Sequence, residues 1–158
     1  MPVQSIEDVP MLVRREIEAR ILSEFVDDLS ETFARDHIVE ILSQTIRRVA
    51  RQQGKSLAAQ CGGNDLSAFG QVTEKWCEGG ALELTVLQKT NDRLAFDITR
   101  CRYAEMYQRL GIPELGSVLS CDRDFTASEG FNPNLKLTRT QTIMDGATHC
   151  DFRYELKS

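Results

Sequence analysis

Residues 81–100 read ALELTVLQKTNDRLAFDITR, and this stretch decides the fold class. Apolar residues recur at every second position in two runs, which is the period of a β-strand with one buried face. The residues KTND between the runs are typical of a turn, so the stretch predicts an antiparallel hairpin. The alternating residues are Leu82, Leu84 and Val86 in the first run and Leu94, Phe96 and Ile98 in the second.

Residues 1–79 have the period of helices instead. Apolar residues recur at every fourth position over residues 10–35, and a second amphipathic pattern covers residues 36–60. Asp36 and Asp65 are predicted to cap the second helix and a short third helix, because an aspartate side chain accepts the free N–H groups of a first turn. The sequence therefore predicts a helical N-terminal part.

Residues 80–158 continue from the hairpin with helices and a second hairpin. A helix is predicted over residues 101–111, followed by one broken helix or two short ones over residues 113–130. Two further strands follow. This order predicts one α+β domain over residues 1–158, with the N-terminal helices packed on a mainly antiparallel sheet of two hairpins that have helices between them.

The register of the second hairpin follows from its turn. The dipeptide DG at 145–146 is a strong signal for a two-residue turn, which sets Gln141 opposite Cys150. Lys136 then faces Glu155, and this attractive cross-strand pair supports the register.

The faces of this hairpin separate the consecutive residues His149, Cys150 and Asp151. Successive strand residues point to opposite faces, so Cys150 faces away from the other two. Cys150 instead shares a mainly apolar face with Arg139 and Gln141. Because burying an unpaired polar side chain costs about 1–3 kcal/mol, this face is predicted to line a ligand pocket.

Composition and charge argue against several classes of protein. The net charge of -5 argues against nucleic acid as a partner. No apolar run approaches the roughly 20 residues of a membrane span, and the first ten residues lack the pattern of a signal peptide. The five cysteines form no CxxC, which predicts reduced thiols in a cytoplasmic protein. We predict no cofactor.

Residues 101–154 carry motifs that resemble the L-2-amino-thiazoline-4-carboxylic acid hydrolase family. These are a cysteine-containing start CRYA, then EGFNP at 129–133 and TRTQTIMDGATHCDFRY at 138–154. The resemblance implies hydrolysis of 2-amino-thiazoline-4-carboxylate, a cyclic amidine whose ring opens to give N-carbamoyl-L-cysteine.

A fainter similarity relates the chain to the vinyl-reductase-like ligand-sensing domains of bacterial regulators. Those domains often hold zinc with one glutamate and three cysteines. By position, Cys121 and Cys150 match two of the ligands, whereas Arg139 and Thr142 stand in place of the other two. The resemblance implies that the two cysteines lie close together. Because too few ligands remain for a closed tetrahedral site, no zinc is expected.

The predicted chemistry is attack by a cysteine thiolate. An arginine beside two thiols is predicted to favour the thiolate, which can attack C2 of a 2-aminothiazoline. An acid or base and a cation for the substrate carboxylate are also needed. The predicted catalytic residues are Cys150, Cys121, His149, Asp151 and Glu129, with Asp122 and Asp124 as further acid or base candidates. The predicted substrate-binding residues are Arg139, Gln141, Tyr103 and Cys101, with Arg100 and Arg123 as further cations.

Two other classes of function fit parts of the sequence. A non-catalytic sensor domain would bind a small molecule in the same pocket without turnover. A structural subunit would use the long N-terminal helices for assembly, but it would not need Arg139 and Gln141 beside Cys150. The enzyme is therefore the preferred interpretation.

The helix over residues 10–35 carries a broad apolar stripe, and a single sheet face is not expected to cover both this helix and the next. We therefore predict a homo-oligomer, a two-fold dimer built partly on this helix. The stripe consists of Leu12, Val13, Ile17, Ile21, Leu22, Phe25, Val26 and Leu29.

Overall fold

The computed structural model describes residues 5–158, and it shows an α+β fold as predicted. Two 3-10 turns lie at Ile6–Asp8 and Glu78–Gly80, and a π-helical turn, Ser117–Cys121, joins α5 to α6. The helices are α1 Met11–Ser30, α2 Arg35–Cys61, α3 Leu66–Trp76, α4 Arg102–Arg109, α5 Pro113–Gly116 and α6 Arg123–Phe131. The strands are β1 Leu82–Lys89, β2 Arg93–Cys101, β3 Leu135–Thr138 and β4 Cys150–Leu156.

The four strands form one antiparallel sheet in the order β1-β2-β4-β3. The pairing of β2 with β4 joins the two predicted hairpins and sets Ile98 opposite Cys150. Leu94, Phe96 and Ile98 are buried, as their alternation predicts. Val86 is exposed, however, because β1 is an edge strand whose register shifts twice along its length.

The second hairpin has the predicted register but not the predicted turn. Lys136 pairs with Glu155 as expected, yet the ladder ends at Thr138, and residues 139–149 form a loop. The cause is the carboxylate of Asp151, which accepts the backbone N–H groups of Thr140 and Gln141 at 2.8 and 3.0 Å. These donors are thereby taken from the ladder, and the two-residue turn at 145–146 was wrong.

The helix starts are predicted correctly in one case of two. Asp65 caps α3, and its side chain accepts the Ala68 N–H at 2.8 Å. Asp36 does not cap α2, because the helix begins one residue earlier and Ala34 occupies the cap position. Asp36 instead lies in the first turn, where a negative charge still interacts favourably with the helix dipole.

The buried apolar residues form two cores. The first forms where α3 and the end of α6 pack on the sheet, around Phe69, Phe131 and Tyr154. The second joins α1 and α2 to α4, α5 and the π-helical turn, with Ala19 and Tyr107 fully buried. The predicted packing of the N-terminal helices on the sheet thus applies to α3, whereas α1 packs chiefly on α2 and α4.

The segment that continues from α5 to α6 is one broken helix. Asp122 donates its N–H to the carbonyl of Ser117 at 2.8 Å, the five-residue step of a π-helical turn. Helix α6 then crosses α2 closely, because a Cβ atom at Gly54 or Gly130 would collide with backbone of the facing helix. None of the helices described is long and apolar enough to cross a membrane.

Candidate functional site

A cavity of about 110 Å³ lies where the two cores meet. Three cysteines line it, Cys101, Cys121 and Cys150, together with Arg139 and Tyr103. The predicted convergence of Cys121, Cys150 and Arg139 in one pocket is therefore confirmed. This is smaller than the engineered apolar cavity of about 150 Å³ that binds benzene in another protein, so the volume limits a ligand to about one small ring.

Each cysteine reaches the cavity from the end of an element. Cys101 ends β2 and caps α4, where its Sγ accepts the Ala104 N–H at 3.4 Å. Cys121 ends the π-helical turn. Cys150 begins β4, and its Sγ accepts the Ile143 N–H at 3.2 Å. Element ends leave the side chains at the cavity wall instead of inside a ladder or helix.

Burial keeps these thiols protonated. It raises the pKa of Cys101 to about 11, and it raises the pKa values of Cys121 and Cys150 above their ordinary range. Arg139 lowers the pKa of the latter two, but less than burial raises it. The predicted net stabilisation of a thiolate by Arg139 is therefore wrong, and a nucleophilic thiol here needs a base to take its proton.

The group best placed to act as that base is Asp124. Its carboxylate accepts a hydrogen bond from Arg139 Nη1 at 2.6 Å, and it lines the same cavity. The guanidinium of Arg139 lies over the rings of Phe125 and Phe152, at 4.9 and 5.2 Å from their centroids. Burial raises the pKa of Asp124 to about 6 despite the opposing effect of Arg139. A carboxyl group with this pKa can exchange a proton near neutral pH.

The other predicted acid–base residues lie outside the cavity lining. Glu129 is on the surface and pairs with Arg51 at 2.9 Å. His149 is contacted by Gln141, whose Nε2 donates to the His149 carbonyl at 3.0 Å. Asp151 binds the backbone N–H groups of the loop at Thr140 and Gln141. Gln141 does not pair with Cys150 in the sheet, because the ladder ends at Thr138, and it does not line the cavity. Its backbone N–H bonds to Asp151, the residue after Cys150.

Two of the remaining candidates, Asp122 and Arg100, also lie outside the cavity lining. Asp122 bonds to Ser43 and pairs with Arg47, and Arg100 pairs with Glu83 and Glu105 on the surface. Neither lines the cavity.

Tyr103 and Arg123 do line the cavity, and the Tyr103 hydroxyl donates to the carbonyl of Trp76 at 3.1 Å. The cavity thus contains one of the predicted acids, Asp124, and two of the predicted cations, Arg123 and Arg139.

The sequence matches the L-2-amino-thiazoline-4-carboxylic acid hydrolase family over residues 14–154. The chain belongs to this family. No curated protein matches it. Among solved structures, it is similar to trafficking protein particle complex subunit 3 from Naegleria fowleri, crystallised covalently bound to palmitic acid, with a TM-score of 0.48 and 11% identity over 92% of this chain and 96% of that one.

The family match includes every charged and thiol group of the cavity. It therefore extends beyond the C-terminal motifs that first indicate the family and takes in most of α1. The match begins at residue 14, one residue before Arg15, a cavity residue that the sequence did not single out.

No group of three or more metal-binding side chains is arranged to hold an ion within residues 5–158. At one of the two positions that the resemblance aligned with zinc ligands, Thr142 is buried and its hydroxyl donates to Asp145 at 2.8 Å. At the other, Arg139 pairs with Asp124. The absence of zinc in this family member stays a prediction.

Proposed function

We propose that this family member is a hydrolase that opens the ring of a small cyclic amidine bearing a carboxylate, of the L-2-amino-thiazoline-4-carboxylate type. The observation that carries the proposal is a ring-sized cavity in which thiols lie with the Asp124–Arg139 pair. The hydrolase name of the family supports the same reaction class.

Cys150 is the proposed nucleophile. Both the Ile143 N–H and the Arg139 guanidinium lower the pKa of its thiol against the effect of burial. The pKa of Cys121 is lowered by Arg139 without such a backbone donor, and that of Cys101 is lowered by backbone N–H groups without a nearby positive charge. The thiolate of Cys150 therefore has two kinds of support as it forms, a donor at the sulfur and a nearby positive charge.

In the first stage the Cys150 thiol gives its proton to the Asp124 carboxylate while its sulfur bonds to C2. The electron pair of the C2–nitrogen double bond moves to the nitrogen. That pair then re-forms the double bond as the ring sulfur leaves with the C2–S electrons and takes the proton from Asp124. The ring is open, and an isothiourea is attached to Cys150.

In the second stage one water adds to the same carbon. Asp124 accepts a proton from the water and returns it to the nitrogen. The carbon–Sγ bond then breaks, and the departing sulfur takes the remaining hydroxyl proton as the carbonyl forms. One water is consumed overall, and the product is N-carbamoyl-L-cysteine. The positioning of the reactants in a small cavity supplies part of the rate acceleration.

Product analysis tests this proposal directly. Wild-type protein incubated with L-2-amino-thiazoline-4-carboxylate is expected to release N-carbamoyl-L-cysteine and one new thiol per substrate. Mass spectrometry and thiol titration measure the two, and substrate without protein is the control. Binding without turnover from pH 6 to 9, a range that spans the ordinary His and Cys pKa values of about 6.5 and 8.5, would instead support a sensor domain.

A cytoplasmic location belongs to the same proposal. All five cysteines are unpaired, and three of them line the cavity. Thiol chemistry needs a compartment in which glutathione and thioredoxin keep such groups reduced.

We further propose a homodimer built on α1. Ile17, Ile21 and Phe25 are 57, 70 and 59% exposed, although they are large apolar residues at a four-residue spacing. On an amphipathic helix such side chains share one face, and a second copy of the same face covers them most simply.

The Ile21→Glu variant is expected to be monomeric, because a charge at the centre of an apolar interface is costly to bury. Sedimentation at micromolar concentration compares it with wild type and with Lys89→Gln, a substitution at an exposed position of β1 outside the proposed interface. A wild-type protein that sediments as a monomer would contradict the dimer.

A further inference from the structure

Two arginines far apart in the sequence line the cavity and share one carboxylate. Arg15 of α1 and Arg123 of α6 are only 8 and 6% exposed. Glu18 accepts hydrogen bonds from Arg15 Nη1 at 3.0 Å and from Arg123 Nη2 at 2.9 Å. The first and last thirds of the chain therefore meet at this cluster.

The charges of the cluster do not balance. With Arg139, three guanidinium groups at the cavity face two carboxylates, those of Glu18 and Asp124. Burial and repulsion from Arg15 lower the pKa of Arg123 to about 10. Because Glu18 serves both Arg15 and Arg123, one buried positive charge is left uncompensated in sum, and the cavity favours an anion.

The two arginines also differ in how many of their nitrogen atoms donate a hydrogen bond. Arg123 donates from Nε to the Leu119 carbonyl at 2.6 Å and from Nη1 to Gln53 at 3.4 Å, in addition to its bond with Glu18. Arg15 donates only from Nη1, and its Nε and Nη2 have no acceptor among residues 5–158. These two donors form one edge of the guanidinium, which matches the two oxygens of a carboxylate.

Arg139 is a poorer choice for an incoming carboxylate. Its Nη1 is already bonded to Asp124 at 2.6 Å, and both Nη atoms donate to the Cys121 carbonyl. Turning it towards a ligand would leave the buried carboxylate of Asp124 without its partner, which is costly.

We propose that Arg15, supported by the charge of Arg123, is the carboxylate subsite of this cavity. The subsite would hold the carboxylate of a ring whose amidine carbon lies at the cysteines. The identification of the ring rests on the proposed function, whereas the binding of a small cyclic carboxylate does not. Helix α1 thereby contributes a specificity-determining residue, and substrates without the negative charge are selected against.

A binding measurement tests the subsite without turnover. Thiazolidine-4-carboxylate has the ring and the carboxylate but no amidine carbon, and thiazolidine lacks the carboxylate. Calorimetry is expected to detect the first and not the second with wild-type protein. Arg15→Met is expected to weaken binding of the carboxylate by about 10- to 100-fold, the range for losing charged hydrogen bonds. Arg20→Met, an exposed position on the same helix, is the matched control.

A kinetic comparison separates this subsite from the reaction itself. With 2-amino-thiazoline-4-carboxylate, Arg15→Met is expected to raise KM with little change in kcat, and to lose the preference over the matching carboxamide. Arg15→Lys keeps the charge without the two-donor edge, and an intermediate affinity is expected from it.

Turnover with an undiminished carboxylate preference in Arg15→Met would overturn the subsite and leave the hydrolase intact. Carboxylate binding that needs Arg15, without turnover, would support the subsite and reject the hydrolase. Equal binding of both rings by wild type would overturn the subsite even if neither variant folds.

Discussion

The Cys150→Ser variant is expected to lose at least about 1,000-fold in kcat while keeping its fold. Serine is nearly isosteric with cysteine, and its hydroxyl can accept the Ile143 N–H that the sulfur accepts at 3.2 Å. A serine hydroxyl is far less acidic than a thiol, so the Asp124 carboxylate is too weak a base to activate it. The loss corresponds to about 4 kcal/mol of barrier, a reasonable consequence of removing a covalent route.

The other cysteines provide the comparison for this experiment. Cys77 is half-buried, does not line the cavity, and donates from its Sγ to the Thr73 carbonyl at 3.5 Å. Cys77→Ser should therefore keep wild-type kcat, and unchanged thermal unfolding of each variant would show that the fold is intact. If Cys121→Ser is inactive and Cys150→Ser is active, Cys121 is the nucleophile. If both remain active, the covalent route is rejected and water attacks directly.

The sequence predicts most of the fold because its local patterns act over short distances. Alternating apolar residues produce β2, and a capping aspartate at Asp65 begins α3. The turn of the second hairpin fails for two reasons: Asp151 binds the backbone N–H groups of Thr140 and Gln141, and a tertiary contact holds the turn residue itself. Asp145 accepts hydrogen bonds from Thr142 and from Ser117, a residue 28 positions away, so this tertiary contact overrides the turn that the sequence favours.

The orientation of α1 is a second feature that tertiary contacts decide and local sequence patterns do not. Its apolar stripe packs only in part, on the side where Val26 is buried together with Arg15 and Ala19. Ile17, Ile21 and Phe25 of the same stripe are exposed. A buried arginine on that side is possible only because Glu18 and the cavity accompany it. The orientation of the helix is therefore decided by partners far away in the sequence.

The candidate site could be predicted in part, because the resemblance supplies Cys121, Cys150 and Arg139 as neighbours. Asp124 was one of several possible acids, although its position three residues after Cys121 places both on one side of a helical turn. That spacing is the signal that would have ranked it first. Arg15 gives no comparable signal, since it meets Arg123 through Glu18, which lies 105 positions from Arg123.

Asp124→Asn is the second variant with a large expected effect. The Asp124 carboxyl has a pKa of about 6, raised by burial from an ordinary value of 3.8, so it is a carboxylate and can act as a base only above that pH. Wild-type kcat is therefore expected to rise with pH through about 6 and then to level off. Asparagine cannot accept the thiol proton, and kcat should fall by about 100- to 10,000-fold with loss of this rising limb.

The control for this variant must separate the loss of the proton acceptor from the loss of the ion pair with Arg139. Asp124→Asn leaves Arg139 buried without its counter-ion, which by itself destabilises the protein. The Asp124→Asn, Arg139→Met double variant removes both charges, and it is expected to recover stability in thermal unfolding without recovering activity. Asp122→Asn, two residues earlier on the surface side, should keep the wild-type pH profile. Among residues 5–158, the cavity lining contains no carboxylate besides Asp124. A pH profile that keeps its rise near 6 in Asp124→Asn would therefore assign the base to a group outside the cavity.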